Sequence, residues 1–97
     1  MTNATLLRHM KRRYDDGAIL ELKVWLLPRR LPGSQHRFKY SLYYGTPGIR
    51  ILSYDNEAGK GDHVHRGDIK SDYLFTTPET LLQDFLDEVR TLRGGSL

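Results

Sequence analysis

Ala18-Ile19-Leu20-Glu21-Leu22-Lys23-Val24-Trp25-Leu26-Leu27 alternates almost without a break. Leu20, Leu22, Val24 and Leu26 share one parity, while Glu21, Lys23 and Trp25 share the other. A period of two is that of a strand with one buried face, not of a helix. Asp15-Asp16-Gly17 precedes it, a turn signal whose glycine tolerates positive φ. Residues 5–14 before the turn read as a partner strand. Leu6, Met10 and Tyr14 fall on one parity of that strand, and His9, Lys11 and Arg13 on the other. The two segments predict a hairpin.

Further along, Pro28-Arg29-Arg30-Leu31-Pro32-Gly33-Ser34 interrupts any ladder, because proline cannot donate to one. His36 to Tyr44 resumes the alternation, with Phe38, Tyr40, Leu42 and Tyr44 opposite Arg37, Lys39, Ser41 and Tyr43. Gly45-Thr46-Pro47-Gly48 turns the chain into a fourth strand at Ile49 to Tyr54, and a short fifth is expected within Ile69 to Phe75. Thr77 and Pro78 then open a helix, one as cap and one at its first position. Leu81, Leu82, Phe85, Leu86, Val89 and Leu92 make its apolar stripe, and Gly94 is its stop. The predicted fold class is α+β: an antiparallel four- to five-stranded meander sheet with one C-terminal amphipathic helix packed on one face.

The 97 residues form a single domain over 1–97, with 94–97 read as a frayed tail. No cysteine is present, which excludes disulfides, thiolate metal sites and thiol nucleophiles. No apolar run has the length of a membrane span, and charges fall where a signal peptide needs apolar residues, so a cytoplasmic protein without membrane contact is expected. The net charge of +3 conceals a division: residues 1–50 carry +7 and residues 51–97 carry −4. A basic half suits a polyanion or an acidic protein. If the helix covers one sheet face, the other carries Lys11, Arg13, Lys23, Trp25, Arg37, Lys39 and Tyr43. Cations interleaved with aromatics suit phosphates and stacked bases; the same residues also suit a homodimer interface.

Tyr54-Asp55-Asn56-Glu57-Ala58-Gly59-Lys60-Gly61-Asp62-His63-Val64-His65-Arg66 is the most unusual stretch. Its polarity reads as a loop. If extended, it places His63 and His65 on one face. Two imidazoles at that spacing can divide acid and base roles at a ribose 2′-hydroxyl and a leaving oxygen. Lys60 or Arg66 would steady the phosphate, and Asp62 and Asp55 complete the candidate catalytic set with Lys60, His63 and His65. The same imidazoles with a carboxylate could instead share a metal ion, but only two histidines lie close together, and neither a metal nor another cofactor is predicted. A plain turn held by Asp55 and Asn56 is the remaining alternative. Gly-x-Ser-x-Gly and dinucleotide fingerprints are absent.

Three stretches carry a resemblance. Asp16-Gly17-Ala18-Ile19, Pro32-Gly33-Ser34-Gln35-His36-Arg37-Phe38-Lys39-Tyr40-Ser41-Leu42 and the run from Tyr54 to His65 resemble the TumE-like family across residues 5–90. These are small bacterial proteins proposed as the toxin half of toxin–antitoxin pairs. The resemblance implies a cytoplasmic toxin and a helix-turn-helix antitoxin partner. It leaves the chemistry open, and analogy with other small basic toxins suggests RNA as the target. A metal-independent ribonuclease is therefore the first expectation, and a non-enzymatic binding module that dimerises through Trp25 and Tyr43 the second.

Overall fold

The computed structural model describes residues 3–97. Six strands run in chain order across a single antiparallel sheet: β1 (Thr5–Arg13), β2 (Ile19–Leu26), β3 (Phe38–Thr46), β4 (Ile49–Glu57), β5 (Gly61–Arg66) and β6 (Ile69–Asp72). One helix, α1 (Pro78–Leu92), follows. The α+β class and the meander agree with the sequence, but the strand number does not. The expected four or five become six because the polar stretch 55–66 is a hairpin rather than a loop. β4 runs on to Glu57, β5 returns from Gly61, and Ala58-Gly59-Lys60 make the turn. The expected last strand shrinks to four residues, and β3 starts at Phe38 rather than His36.

Local chemistry explains the turns and caps. Asp16 Oδ1 accepts from the Ala18 N–H at 3.0 Å, and Gly17 sits at φ 90°, a conformation costly for other residues. Thr77 Oγ1 accepts from the Thr80 N–H at 3.1 Å, with Pro78 at the start of the helix. At the other end, the Gly94 and Gly95 N–H groups donate to the Thr91 and Arg90 carbonyls, and Leu97 packs against the core.

The core lies between α1 and one sheet face. Leu81, Phe85 and Val89, spaced four apart along the helix, are fully buried against Leu22, Tyr40, Leu42, Leu52, Tyr54 and Val64. Arg66 on β5 grips Glu88 on α1 through two bonds, Nε at 2.9 Å and Nη2 at 2.7 Å. The Tyr54 hydroxyl donates to the same carboxylate at 2.6 Å. The Arg66 guanidinium first, and then the Tyr54 hydroxyl, hold Glu88 below the usual carboxylate range against the opposing effect of burial.

The helix lies over β3 and β4, leaving β1 exposed along its whole length. A bulge at Leu7 breaks the alternation within β1, since Leu6 pairs with Trp25 while Arg8 pairs with Val24. Leu6 and Met10 therefore point to opposite faces, whereas simple parity put them together. Gly45 is required by packing: a Cβ there would lie 2.3 Å from the Ile49 carbonyl oxygen and 2.9 Å from the Tyr43 hydroxyl. Gly45→Ala is expected to lower stability by about 1–3 kcal/mol, as overpacking does. Thermal unfolding followed by circular dichroism reads this; an unchanged midpoint would show that the β3–β4 junction has room to relax.

Candidate functional site

The sheet face turned away from α1 holds the candidate site. Cross-strand register arranges it in rows. One row runs His9, Lys23, Ser41, Asp55, His63, Asp72 from β1 to β6, and the next runs Lys11, Glu21, Tyr43, Ser53, His65, Lys70. Trp25 stands beside Lys39 and Leu6 in a third. Of the residues expected on this face, Lys11, Arg13, Lys23, Trp25, Lys39 and Tyr43 lie on it by register. Arg37 is exposed in the connection one residue before β3.

The face is not uniformly basic. Lys11, Arg13, Lys23 and Lys39 cluster on β1–β3, while Asp55, Glu57 and Asp72 lie on β4 and β6. The division of charge along the sequence has become a gradient across the sheet, because a meander keeps chain order in space. Glu21 interrupts the basic side, with Oε2 3.4 Å from His9 Nε2 and 3.8 Å from Lys23 Nζ. Tyr43 is less free than its position suggests, since its hydroxyl donates to the Thr46 carbonyl at 2.9 Å.

His63 and His65 converge. Both project from β5 onto this face, with ring centroids 6.0 Å apart and ring planes nearly perpendicular. Asp55 stands opposite His63 on β4, and its Oδ1 lies 3.9 Å from His65 Nε2. That is too long for a hydrogen bond but close enough for charge to matter. Desolvation and then the Arg50 charge press the His65 imidazole below its ordinary value, and Asp55 opposes them. The His65 side chain is 18% exposed, whereas His63 is 3% exposed. His65 is the ring that an incoming molecule meets first.

Two expected members are elsewhere. Asp62 alternates onto the helix side of β5, where its Oδ2 lies 2.9 Å from His36 Nε2. His36 Nδ1 accepts the Phe38 N–H at 3.1 Å, which leaves Nε2 to carry the proton toward Asp62. The His36 ring stacks on Phe75 with centroids 3.8 Å apart. This pair fastens the 28–37 connection to the β4–β5 hairpin, and a second tie joins the Gly59 N–H to the Pro32 carbonyl. Lys60 lies in the hairpin turn with Nζ 3.1 Å from Glu57 Oε2, both groups well exposed. The set Lys60, Asp62, His63, His65 and Asp55 is therefore split three ways, and only Asp55, His63 and His65 share a place. The extended reading that puts His63 and His65 on one face already implies, by strand alternation, that Asp62 lies on the other.

Sequence reasoning also passed over neighbours that the register supplies. Ser53 lies between Tyr43 and His65, 5% exposed, and its hydroxyl has no hydrogen-bond partner among the described residues. Lys70 and Asp72 flank His65 and His63 from β6. Nothing in the polar composition of 67–72 pointed to them; only their strand register does. Among the described residues, no group of three or more His, Asp or Glu side chains gathers closely enough to hold a metal ion. None of their helices is long and apolar enough to cross a membrane.

The family model described as Toxin TumE matches residues 3–93, nearly the whole length. No curated protein and no solved structure matches the chain.

Proposed function

From the chain's membership of the TumE toxin family, which implies an antitoxin partner, we infer a toxin that cleaves RNA on the open sheet face without a metal ion. The observation that carries this reading is the convergence of His63 and His65 beside Asp55, in register with the cations of β1–β3. The phosphate backbone of a single strand lies across Lys11, Arg13, Lys23 and Lys39, with Trp25 offering a ring for stacking. Lys23 shares a row with His63 three strands away and Lys11 shares one with His65 four strands away, about 14 and 19 Å at the usual strand spacing, so a few nucleotides of an extended strand bridge the cations and the imidazoles.

His65, kept neutral by its surroundings, takes the proton of a ribose 2′-hydroxyl. The 2′ oxygen attacks phosphorus and the bond from phosphorus to the 5′ oxygen breaks. His63, flanked by Asp55 and Asp72, gives the departing 5′ oxygen its proton. The products are a 2′,3′-cyclic phosphate and a 5′-hydroxyl, and no co-reactant is consumed. Arg50 and Lys70, whose charges both act on His65, are the cations that flank the phosphate there. By the resemblance noted above, the antitoxin is a helix-turn-helix protein.

Purified protein incubated with single-stranded RNA in excess chelator tests this directly. Cleavage leaving cyclic phosphate ends is expected. RNA that is bound yet stays intact, with and without added divalent metal, would replace the enzyme by a binding module.

A further inference from the structure

β1 buries none of its nine residues, Leu6, Leu7 and Met10 included. It is an outer strand of the sheet, paired with β2, and among the described residues no strand lies beyond it. In an antiparallel sheet each residue turns its N–H and C=O to the same side, and successive residues turn them to opposite sides. Every second residue of β1 therefore points both groups outward, away from β2. The bulge sits near the start, at Leu7. From Arg8 to Arg13 the pairing with β2 is unbroken, so this stretch is a regular template with the length of an ordinary strand. β6, the other outer strand, has only four residues.

The charge of this edge has one sign. Arg8 and Arg12 lie on the helix side, around Met10, and Lys11 and Arg13 lie on the open side. The strand holds no acid. Among the described residues, none of these four cations forms an ion pair. Glu21, opposite Lys11, is engaged with His9 and Lys23, and Glu79 of α1 comes near Arg8 alone, lining the same groove. Such charges keep an edge from pairing with its own kind and select a guest of opposite sign.

We propose that β1, from Arg8 to Arg13, pairs with an extended acidic segment of a partner protein, which adds a strand to the sheet. The edge offers donors and acceptors together, and a peptide strand meets both. The phosphates of a nucleic acid accept hydrogen bonds and donate none, so they would leave the outward carbonyls unserved. A second copy of β1 would bring the four cations of each copy together with no acid between them. The guest carries acids on both faces, for Arg8 and Arg12 on one and Lys11 and Arg13 on the other, with an apolar residue beside Met10.

The edge pairing deepens the toxin reading and rests on it for the identity of the partner, the antitoxin. Lys11 and Arg13 then serve either the added strand or the RNA backbone. Neutralisation takes these cations from the RNA and leaves His65 untouched.

The test titrates the full chain, labelled with nitrogen-15, with the product of the gene adjacent to its own, and reads amide hydrogen exchange residue by residue. Alternate amides between Arg8 and Arg13 are expected to slow about tenfold or more in the complex. Arg8→Glu combined with Arg12→Glu is expected to weaken binding about tenfold or more by titration calorimetry, with an unchanged circular dichroism spectrum. A complex in which those amides exchange as freely as before, or one equally tight in the double variant, would overturn the edge pairing. So would the absence of a complex, slowed exchange at β1 in the concentrated chain alone, or the alternate pattern induced by single-stranded RNA and not by the partner. None of these readouts involves cleavage. A chain that cuts no RNA yet gains the alternate protection loses the ribonuclease reading alone, and one that cuts RNA without gaining it loses the edge pairing alone.

Discussion

His65→Ala is expected to lower RNA cleavage at least about 100-fold, the lower range for losing a positioned acid–base group. His63→Ala should cost less than His65→Ala, because its ring is 3% exposed while the His65 side chain is 18% exposed. Neither change should unfold the protein, since both side chains leave the sheet on the side away from α1. The pH profile supplies a sharper check. A base works when deprotonated, and desolvation, then Arg50, lower the His65 value from 6.5 while Asp55 raises it. The acid limb of the rate should therefore fall below pH 6.5. Asp55→Asn removes the one raising influence and should shift that limb further toward acid. A limb that stays in place in Asp55→Asn, or moves upward, would mean that His65 is not the base. The same depression has a consequence for stability. The unfolded chain binds this proton first, so the stabilisation is present above 6.5 and is lost as pH falls through the folded-state value.

Asn56→Ala is expected to be the most damaging single substitution on the helix side. Asn56 is 1% exposed. Its Oδ1 accepts from the Tyr40 N–H at 2.9 Å and its Nδ2 donates to the Phe38 carbonyl at 2.7 Å. The side-chain amide thus stands in for a stretch of backbone pairing where β4 runs out beside β3. Truncation leaves a buried donor and a buried acceptor unpaired, at about 1–3 kcal/mol each. The sum is a large share of the roughly 5–15 kcal/mol that holds a domain folded. A melting temperature lower by about 10–30 °C follows for a domain of this size. A loss below about 1 kcal/mol would show that the two strands close up and pair without the amide.

These two residues illustrate what could and could not be read from the chain. β2, β3 and α1 were legible because Leu20, Leu22 and Val24, then Tyr40, Leu42 and Tyr44, then Leu81, Phe85 and Val89 repeat at the period of their element. The β4–β5 hairpin was hidden because Asn56 and Asp62 occupy helix-side positions where an apolar residue would have kept the alternation. Both are polar for a structural reason: Asn56 bonds β3, and Asp62 bonds His36. Much of the Tyr54–His65 run that looked chemical is thereby accounted for by folding. The bulge at Leu7 left no mark in composition, so the side on which Leu6 faces was misread. Spacing put His63 and His65 on one face only on condition that the stretch was extended, a condition its polarity left open. Their grouping with Asp55 rather than with Asp62 and Lys60 needed the strand register. The family resemblance added the expectation of a toxin, which the match over residues 3–93 supports, but it could not say which polar residues fold the protein and which are free to act.

Expression of the chain in a bacterial host, with the ends of total RNA mapped by their chemistry, bears most directly on the central claim. Growth arrest accompanied by new 2′,3′-cyclic phosphate and 5′-hydroxyl ends is predicted, with both absent when His63 and His65 are replaced together. Arrest that persists in the double variant, or arrest with RNA left uncut, would contradict it.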